Sequence, residues 1–400
     1  MPSEHARLSP SAAHRWLNCP ASLQLIERLG LDTFSASDAA AEGTHAHELG
    51  ELEVSVEFGL ITLAEYEARL ADWTERGAEA GWDLDEMAEH ITRYVDIVRE
   101  HASEFEGSQV LVEQRMPTGF PESFGTSDIV IVSPTHVEII DLKYGKGVPV
   151  DAKRNPQLRM YALGALDTFG ELLGEVELVR ATVFQPRLYS LSTEELTPGA
   201  LRAWREFVLP VAEEALYSDA PRFGPSENAC RWCPAAGMCK ARTERMTQMD
   251  FGSDPDVLSP AELADVLGQL AEIKHWVASV EDSALHRAYS LGEDIPGYKV
   301  VMSGGQRVIL DQERAVERLE KAGYQRADFI IEKLAGLGQL DKLVGKHKVD
   351  GRTVSRLGDV LGDALGRSEG KPSLVPADDK REAIDPNGEA ARDFGPHREP

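Results

Sequence analysis

Cysteine is scarce in this 400-residue chain, which has only Cys19, Cys230, Cys233 and Cys239. That scarcity excludes a disulfide-dense secreted scaffold. Long apolar runs are missing too. No stretch approaches the roughly 18 residues of a membrane-spanning helix. The opening MPSEHARLSPSAAHRW has no apolar signal core, so a cytoplasmic protein with no membrane partner is expected. Positive charge is in deficit: 42 Lys and Arg face 68 Asp and Glu, for a net charge of −26. This excludes a general polyanion binder but not nucleic acid, which needs only a local basic surface. The deficit is deepest over Asp38 to Glu106, with nineteen acids, four arginines and no lysine. Finally, no Gly-x4-Gly-Lys-Ser/Thr occurs, so the chain is not itself a nucleotide-driven motor.

Against this acidic background, residues 141–160 stand out. They hold Lys143, Lys146, Lys153, Arg154 and Arg159 against only Asp141 and Asp151. The segment begins in HVEIIDLK, an apolar run short enough to be a buried strand. Alternation along a strand puts Asp141 and Lys143 on one face, about 7 Å apart, with Leu142 pointing away. A carboxylate and an ammonium side by side at a strand end suit metal-assisted attack of water on a phosphate. The acid holds the ion, and the lysine orients the water or offsets developing charge. Asp-x-Lys alone is weak, because a strand-end acid beside a solvated lysine is common; its neighbours decide its meaning.

The cysteines form a second constellation. Three make C-x2-C-x5-C within ENACRWCPAAGMCKAR, and Cys19 lies far upstream in LNCPASLQL. In a reducing compartment this spacing points to ligation, and Pro234 and Gly237 shape the loop. Four thiolates suit Zn²⁺ or an iron–sulfur cluster, and spacing does not choose between them.

The periodicity gives the framework. Ser9 and Pro10 predict a capped helix start, with Trp16 and Leu17 on one face and a break at Cys19-Pro20. A second helix is expected from near Asp38, with Gly43, His47 and Glu51 one turn apart along a face; His45 competes from another face. Amphipathic acidic helices follow to residue 106. From there the period becomes that of strands: QVLVEQRM with Glu113, FGTSDIVIV with Asp128, and HVEIIDLK, the last two joined by a short hairpin link. NPQLRMYALGALDTF predicts a helix capped by Asn155, with Gln157 and Tyr161 one turn apart, before a fourth strand in VELVRATVFQP. A helix over LTPGALRAWREFVLPVAEEAL leads to the cysteine loop. Beyond it, Ser259 and Glu262 form a capping box for a helix reaching about Ser290. A hairpin at Gly304-Gly305, helices over 312–322 and 327–343, and a basic patch of Lys342, Lys346, Lys348, Arg352 and Arg356 are expected next. That patch reads equally as a DNA contact or a solvated helical face. The chain past Gly366 reads as a disordered tail.

Taken together, Gly43-x3-His47-x3-Glu51, Glu113, Gly125-Thr126-Ser127-Asp128, Asp141-Leu142-Lys143 and Gln157-x3-Tyr161 resemble, in order, the PD-(D/E)XK nuclease superfamily and its RecB-like branch. The split cysteines resemble the iron–sulfur subset of that branch, the AddB and CRISPR-adaptation exonuclease type. The end of the chain, around Lys371 to Pro376 and Asp379-Lys380-Arg381, is similar to a phage and prophage family with this core.

The resemblance implies an α/β, restriction-endonuclease-like fold, a mixed central sheet flanked by helices. Around it would lie an N-terminal helical region (1–107), a core with cysteine loop (108–249), a mostly helical extension (250–365) and the tail (366–400). It implies Mg²⁺ or Mn²⁺ held by His47, Asp128, Asp141 and the backbone carbonyl of Leu142, with Lys143 catalytic. Glu113 would order the surroundings or hold a second ion, Gln157 and Tyr161 would position DNA, and Lys153, Arg154 and Arg159 would contact phosphates. Cys19, Cys230, Cys233 and Cys239 would hold a [4Fe–4S] cluster, with Zn²⁺ as the alternative. The expected function is a metal-dependent DNA exonuclease of phage replication or recombination, in the host cytoplasm if phage-encoded. Its partners would be single strands or duplex ends and a phage recombination or single-strand-binding protein. The alternatives are a non-catalytic DNA-binding or assembly subunit with this fold, or a structure-specific endonuclease.

Overall fold

The computed structural model describes residues 6–31, 38–170, 173–248, 258–299, 346–349 and 352–355. By packing, the chain divides into two units, 1–302 and 303–400. The first is mixed α/β, built on a five-stranded sheet of order β1-β2-β3-β4-β5. These strands are β1 (Gln109–Pro117), β2 (Phe124–Val132), β3 (His136–Leu142), β4 (Leu178–Gln185) and β5 (Ser190–Leu196). Neighbours run antiparallel except β3 and β4, which are parallel. A parallel pair needs a crossover, supplied here by α6 (Pro156–Phe169).

Burial explains the order. Every residue of β3 is buried, as befits a central strand covered on both faces. Val137 and Ile139 face one core, with α6 and α7 (Pro198–Tyr217), which also takes in Trp16 and Leu23 from the N-terminal helices α1 (Ala13–Asn18) and α2 (Ala21–Leu29). Ile140 and Leu142 face the other, packed by α3 (Asp38–Glu57), α4 (Leu63–Ala80) and α5 (Leu84–Ser103). Alternation at period two therefore sends successive β3 side chains into different cores. The acidic helices turn their charge outward and their apolar stripe, including Met87, Ile91 and Val98, onto the sheet.

Local chemistry places the ends of α6. The Asn155 side chain accepts hydrogen bonds from the Gln157 and Leu158 amides at 3.0 and 3.4 Å, and Pro156 occupies the first position. The N-terminal start differs from expectation. Ser9 makes no capping bond; its hydroxyl meets Ser11, and the chain enters α1 through a 3-10 turn at Pro10–Ala12. Among the elements that were not expected, two help build the first unit. Helix α2 forms directly after the Cys19-Pro20 break, and β5 follows a tight turn after β4. After α7 come the short α8 (Glu227–Cys230) and α9 (Lys240–Thr247), then the long α10 (Pro260–Tyr289), opened by the Ser259–Glu262 capping box.

In the second unit the described residues form one hairpin, β6 (Lys346–Val349) with β7 (Arg352–Ser355). Lys346, Lys348 and Arg352 thus lie on strands, which corrects the helical-face reading of that patch. Lys342, Arg356, the turn at Gly304-Gly305, the helices expected over 312–322 and 327–343, and the tail lie outside the described residues. No helix among the described residues is long and apolar enough to cross a membrane.

The seat of α6 on the sheet depends on a missing side chain. A Cβ on Gly164 would lie 2.0 Å from the Pro117 carbonyl oxygen. Backbone cannot yield as a side-chain tip can, so Gly164→Ala is expected to destabilise the first unit by about 3 kcal/mol. Urea unfolding of the purified variant checks this.

Candidate active site

The site sits where β2 and β3 stop pairing. Their last paired residues are Ile129 and Ile140, and one step beyond lie Asp128 and Asp141. The Leu142 amide donates to Asp128 Oδ2 at 2.8 Å, which pulls that carboxylate to the end of β3. A strand residue presents its N–H and C=O to the same edge, so the Leu142 carbonyl faces Asp128 as well. On the other side of β2 the ladder to β1 is broken. Val112 pairs with Ile129 and Gln114 with Ser127, while Glu113 and Asp128 between them are skipped. Glu113 takes φ 48°, a left-handed conformation unusual for a glutamate, and so behaves as a local kink that redirects its carboxylate.

Helices complete the cluster. From α3, His47 brings Nδ1 to 3.3 Å from Asp128 Oδ2. Lys143 Nζ lies 3.0 and 2.9 Å from the two Asp141 oxygens. From α6, Gln157 donates to Asp141 Oδ1 at 3.2 Å, and the buried Tyr161 stands one turn on. Gly125 gives Tyr161 its room: a Cβ there would come 2.8 Å from the ring. His45 has another role. Its ring is buried, stacks on Trp73 with centroids 4.4 Å apart, and packs against Trp82. The Trp73 indole in turn donates to the His45 carbonyl at 2.8 Å.

The charges shift one another. Burial works against charge on His47, but the Asp128 carboxylate outweighs it and holds the imidazole above its usual range. Asp128 responds in kind: burial opposes its ionisation, yet His47, Lys143 and the Leu142 amide hold it below the carboxylate range. Asp141 is pushed up by burial, with Lys143 pulling against this and Asp128 adding to it. Lys143 is held above its ordinary value because Asp141 and Asp128 overcome its burial. Glu113 is pushed up to about 7 by burial of its carboxyl, then by Asp128 and Glu51.

Among the described residues, no three His, Cys, Asp or Glu side chains are drawn together as a ready ion site. The donor chemistry nonetheless fits a hard cation. Asp141 Oδ2 is enclosed and accepts no well-aligned hydrogen bond, despite the nearby Lys143. Two carboxylates, one imidazole and a strand-end carbonyl match Mg²⁺ or Mn²⁺.

The three basic residues separate. Arg159 is committed to Glu194 by a two-pronged pair at 2.9 and 2.6 Å and lies over Trp204, so its guanidinium is not offered to DNA. The Arg154 amide donates to the same Glu194 at 3.0 Å, with φ 57° at that residue. Lys153 is exposed at the rim.

Some 211 residues apart in sequence, Cys19 and Cys230 line one small cavity together with Cys233 and Cys239. The close pass is again glycine-dependent: a Cβ on Gly224 would lie 2.0 Å from the Asn18 carbonyl oxygen. Ala21 N–H donates to the Arg222 carbonyl at 3.1 Å, tying α2 to the same loop. Burial pushes the Cys19 and Cys230 thiols up and Cys233 to about 11, so ligation there would release protons. All-thiol donors suit a cluster or Zn²⁺ and not a hard ion. Helix α10 is tied to α9, which follows this loop: Arg242, itself buried, donates to His275 at 3.0 Å.

Fold and site together define a mixed α/β protein with a carboxylate–histidine–lysine cluster at the end of its central strands. The chain matches over residues 5–382 the family described as "Protein of unknown function (DUF2800)", and it belongs to that family. It is also similar to a solved structure described as "Crystal structure of SSO0001", at 15% identity over 60% of this chain and 89% of that one. Their TM-score of 0.27 is too low to argue from.

Residues that sequence reading overlooked include Arg15, Arg231 and Trp232. The only hint was an arginine and an indole lodged between Cys230 and Cys233.

Glu113 supplies a pH test. A carboxyl pushed up to about 7 favours the folded state while protonated and opposes it once ionised. The stability of the metal-free protein should therefore fall as pH rises from the unfolded value through about 7. Glu113→Gln should unfold at a higher temperature than wild type at pH 8 and at a similar one at pH 4. Melting curves across that range check this, and added Mn²⁺ should shrink the difference.

Proposed function

We propose that this protein is a metal-dependent deoxyribonuclease of the PD-(D/E)XK type, an exonuclease serving phage DNA replication or recombination. The observation that supports it most is the joint placement of His47, Asp128, Asp141, Lys143 and Gln157 at one sheet end. These residues come from four separate elements, and bland structural roles for them do not require such convergence.

A bound Mg²⁺ or Mn²⁺ would lower the pKa of a water and offset charge on the phosphate. Asp128, Asp141, His47 and the Leu142 carbonyl would hold it, with Glu113 at its margin. Lys143, kept protonated by the two acids, orients the attacking water and faces the developing negative charge. Gln157 fixes the rotamer of Asp141 through its 3.2 Å bond to Oδ1, and Oδ2, now 2.9 Å from Lys143 Nζ, would turn to the ion. Tyr161, whose hydroxyl is held neutral by burial and then by Asp141, shapes the strand side of the pocket. The four cysteines would hold a [4Fe–4S] cluster that closes the first unit as a clasp. Four thiols around one small cavity fit such a cluster, with Zn²⁺ as the alternative.

Asp141→Ala and Lys143→Ala should each lower hydrolysis of end-labelled DNA by about a hundred-fold or more without loss of the folded state. Full activity in either pure variant would end the reading. Closed circular DNA should resist the wild type; its cutting would mean endonuclease action.

The two histidines should separate by readout. His47→Ala should lose activity at temperatures where the variant is still folded, and should unfold somewhat below wild type because it removes the charge that offsets buried Asp128. His45→Ala should lose stability by about 2 kcal/mol or more, since it removes a buried ring between two tryptophans. Thermal melts beside nuclease assays check both. Cys19→Ala should destabilise the first unit as much as Cys233→Ala. Closing a loop of this length is worth about 5 kcal/mol on chain-entropy grounds. Iron and acid-labile sulfide, measured after anaerobic purification, should be lost in both.

A further inference from the structure

The candidate active site opens into a groove that its chemistry does not use. A cavity of about 620 Å³ is lined by Lys143 and Gln157 of that site, by Arg231 and Trp232 of the cysteine loop, and by Lys153 and Arg15. In a chain of net charge −26, such a cationic lining is a local exception. Two acids also line it, and both are engaged. Glu27 is held by Arg7 at 2.7 and 2.9 Å, and Asp151 accepts from Ser192 and from the Lys153 amide. Arg15 is 9% exposed, and its Nε has no hydrogen-bond partner. Arg231 reaches Glu227 only at 3.7 Å, a surface pair of little worth.

Trp232 is the second feature. It is 74% exposed, between two of the cysteines, just after α8, which packs on α1, and ahead of Gly237, which passes close to the Ser279 carbonyl of α10. A lone exposed aromatic is ordinary on a protein surface. One fixed at the rim of a basic groove that leads to a lysine–carboxylate pair is not. The indole faces water at little entropic cost for a further contact, because its loop is already tied down.

We propose that the groove takes a single DNA strand and that Trp232 stacks on one of its bases, with Arg231 and Lys153 on flanking phosphates. This rests on the nuclease reading and adds to it: the cysteine loop becomes a wall of the strand path as well as a clasp. Stacking on an indole needs an unpaired base, so Trp232 favours a free strand over duplex while tolerating any sequence.

The test uses the full chain, purified anaerobically with its metal content intact at the cysteines and kept in EDTA to prevent hydrolysis. Binding of fluorescein-labelled oligothymidylate is followed by anisotropy. Trp232→Ala should weaken it roughly ten-fold and Trp232→Phe by less than about three-fold, with affinity for blunt duplex unchanged. In parallel, an oligonucleotide bearing 5-iodouracil, irradiated on the wild type, should cross-link to the peptide containing Trp232. Unchanged strand affinity in Trp232→Ala, or cross-links confined to other surfaces, would overturn the proposal. The cross-link does not depend on the variant folding. Hydrolysis of the same DNA by wild type with Mn²⁺ is scored separately: cutting without Trp232 dependence removes only the groove, and Trp232-dependent binding without cutting removes only the nuclease.

Discussion

One hydrogen bond organises the candidate chemistry, the 2.8 Å contact from the Leu142 amide to Asp128. It replaces the next rung of the β2–β3 ladder by a side-chain bond. Where a backbone carbonyl would have continued the sheet, a carboxylate stands instead. That ends the pairing, brings Asp128 beside Asp141, and leaves two acids in a place that burial makes costly. His47 and Lys143 answer the cost from either side. The shifts all follow from it: His47 and Lys143 are held charged, Asp128 stays ionised, and Asp141 and Glu113 are pushed up. Ionising Asp141 and Glu113 opposes the fold while the charges of His47, Lys143 and Asp128 support it, and shifts of this kind cluster at functional sites.

The rest of the first unit can be seen as support for that strand end. Because β3 is buried on both faces, helices must cover both, and each covering layer delivers one side of the site. Helix α6 brings Gln157 and Tyr161 from one core; α3 brings His47 from the other. Helix α3 is itself pinned near the site by Arg187, which forks onto Glu42 with one contact at 2.8 Å and lies over the Tyr144 ring at 4.0 Å. The acidic helices α4 and α5 hold α3 in place by packing, and the His45–Trp73 stack sets its rotation. With His45 locked inward, the helical period turns His47 toward the sheet end.

Charge and the cysteines then divide the surface. The densest acid lies along α3 to α5, none of whose residues line the groove that Lys153, Arg15 and Arg231 share. The cysteine loop borders that groove and joins the start of the chain to residues 224–239. A strand lying between them would meet positive charge and an indole as well as Lys143. Ligation at the thiols would therefore set the shape of the path as well as the stability of the unit.

Much of this was legible in one dimension, for reasons of period and chemistry. Strands β1 to β4, the Asn155 cap of α6 and the Ser259–Glu262 capping box follow from alternation and local hydrogen bonding. Each depends on neighbours within a few residues. The choice of His47 over His45 also rested on helical spacing, and the structure places the two rings in unlike surroundings. What could not be read lies in long-range pairing. Arg159 looked like a phosphate contact until Glu194, 35 residues later on β5, took its guanidinium. The strand β5 itself, rich in Ser, Thr and Glu, has little apolar pattern because it is the sheet's edge. The kink at Glu113, the broken ladder opposite it and the groove beneath Trp232 exist only once separate strands and loops are brought together. By itself, the sequence determined the local elements and the residue types for the chemistry, since propensity, capping and period act over short range. Only the tertiary structure decided which charges are paired, which are buried and which remain open to a ligand, because those depend on contacts between segments far apart in the chain.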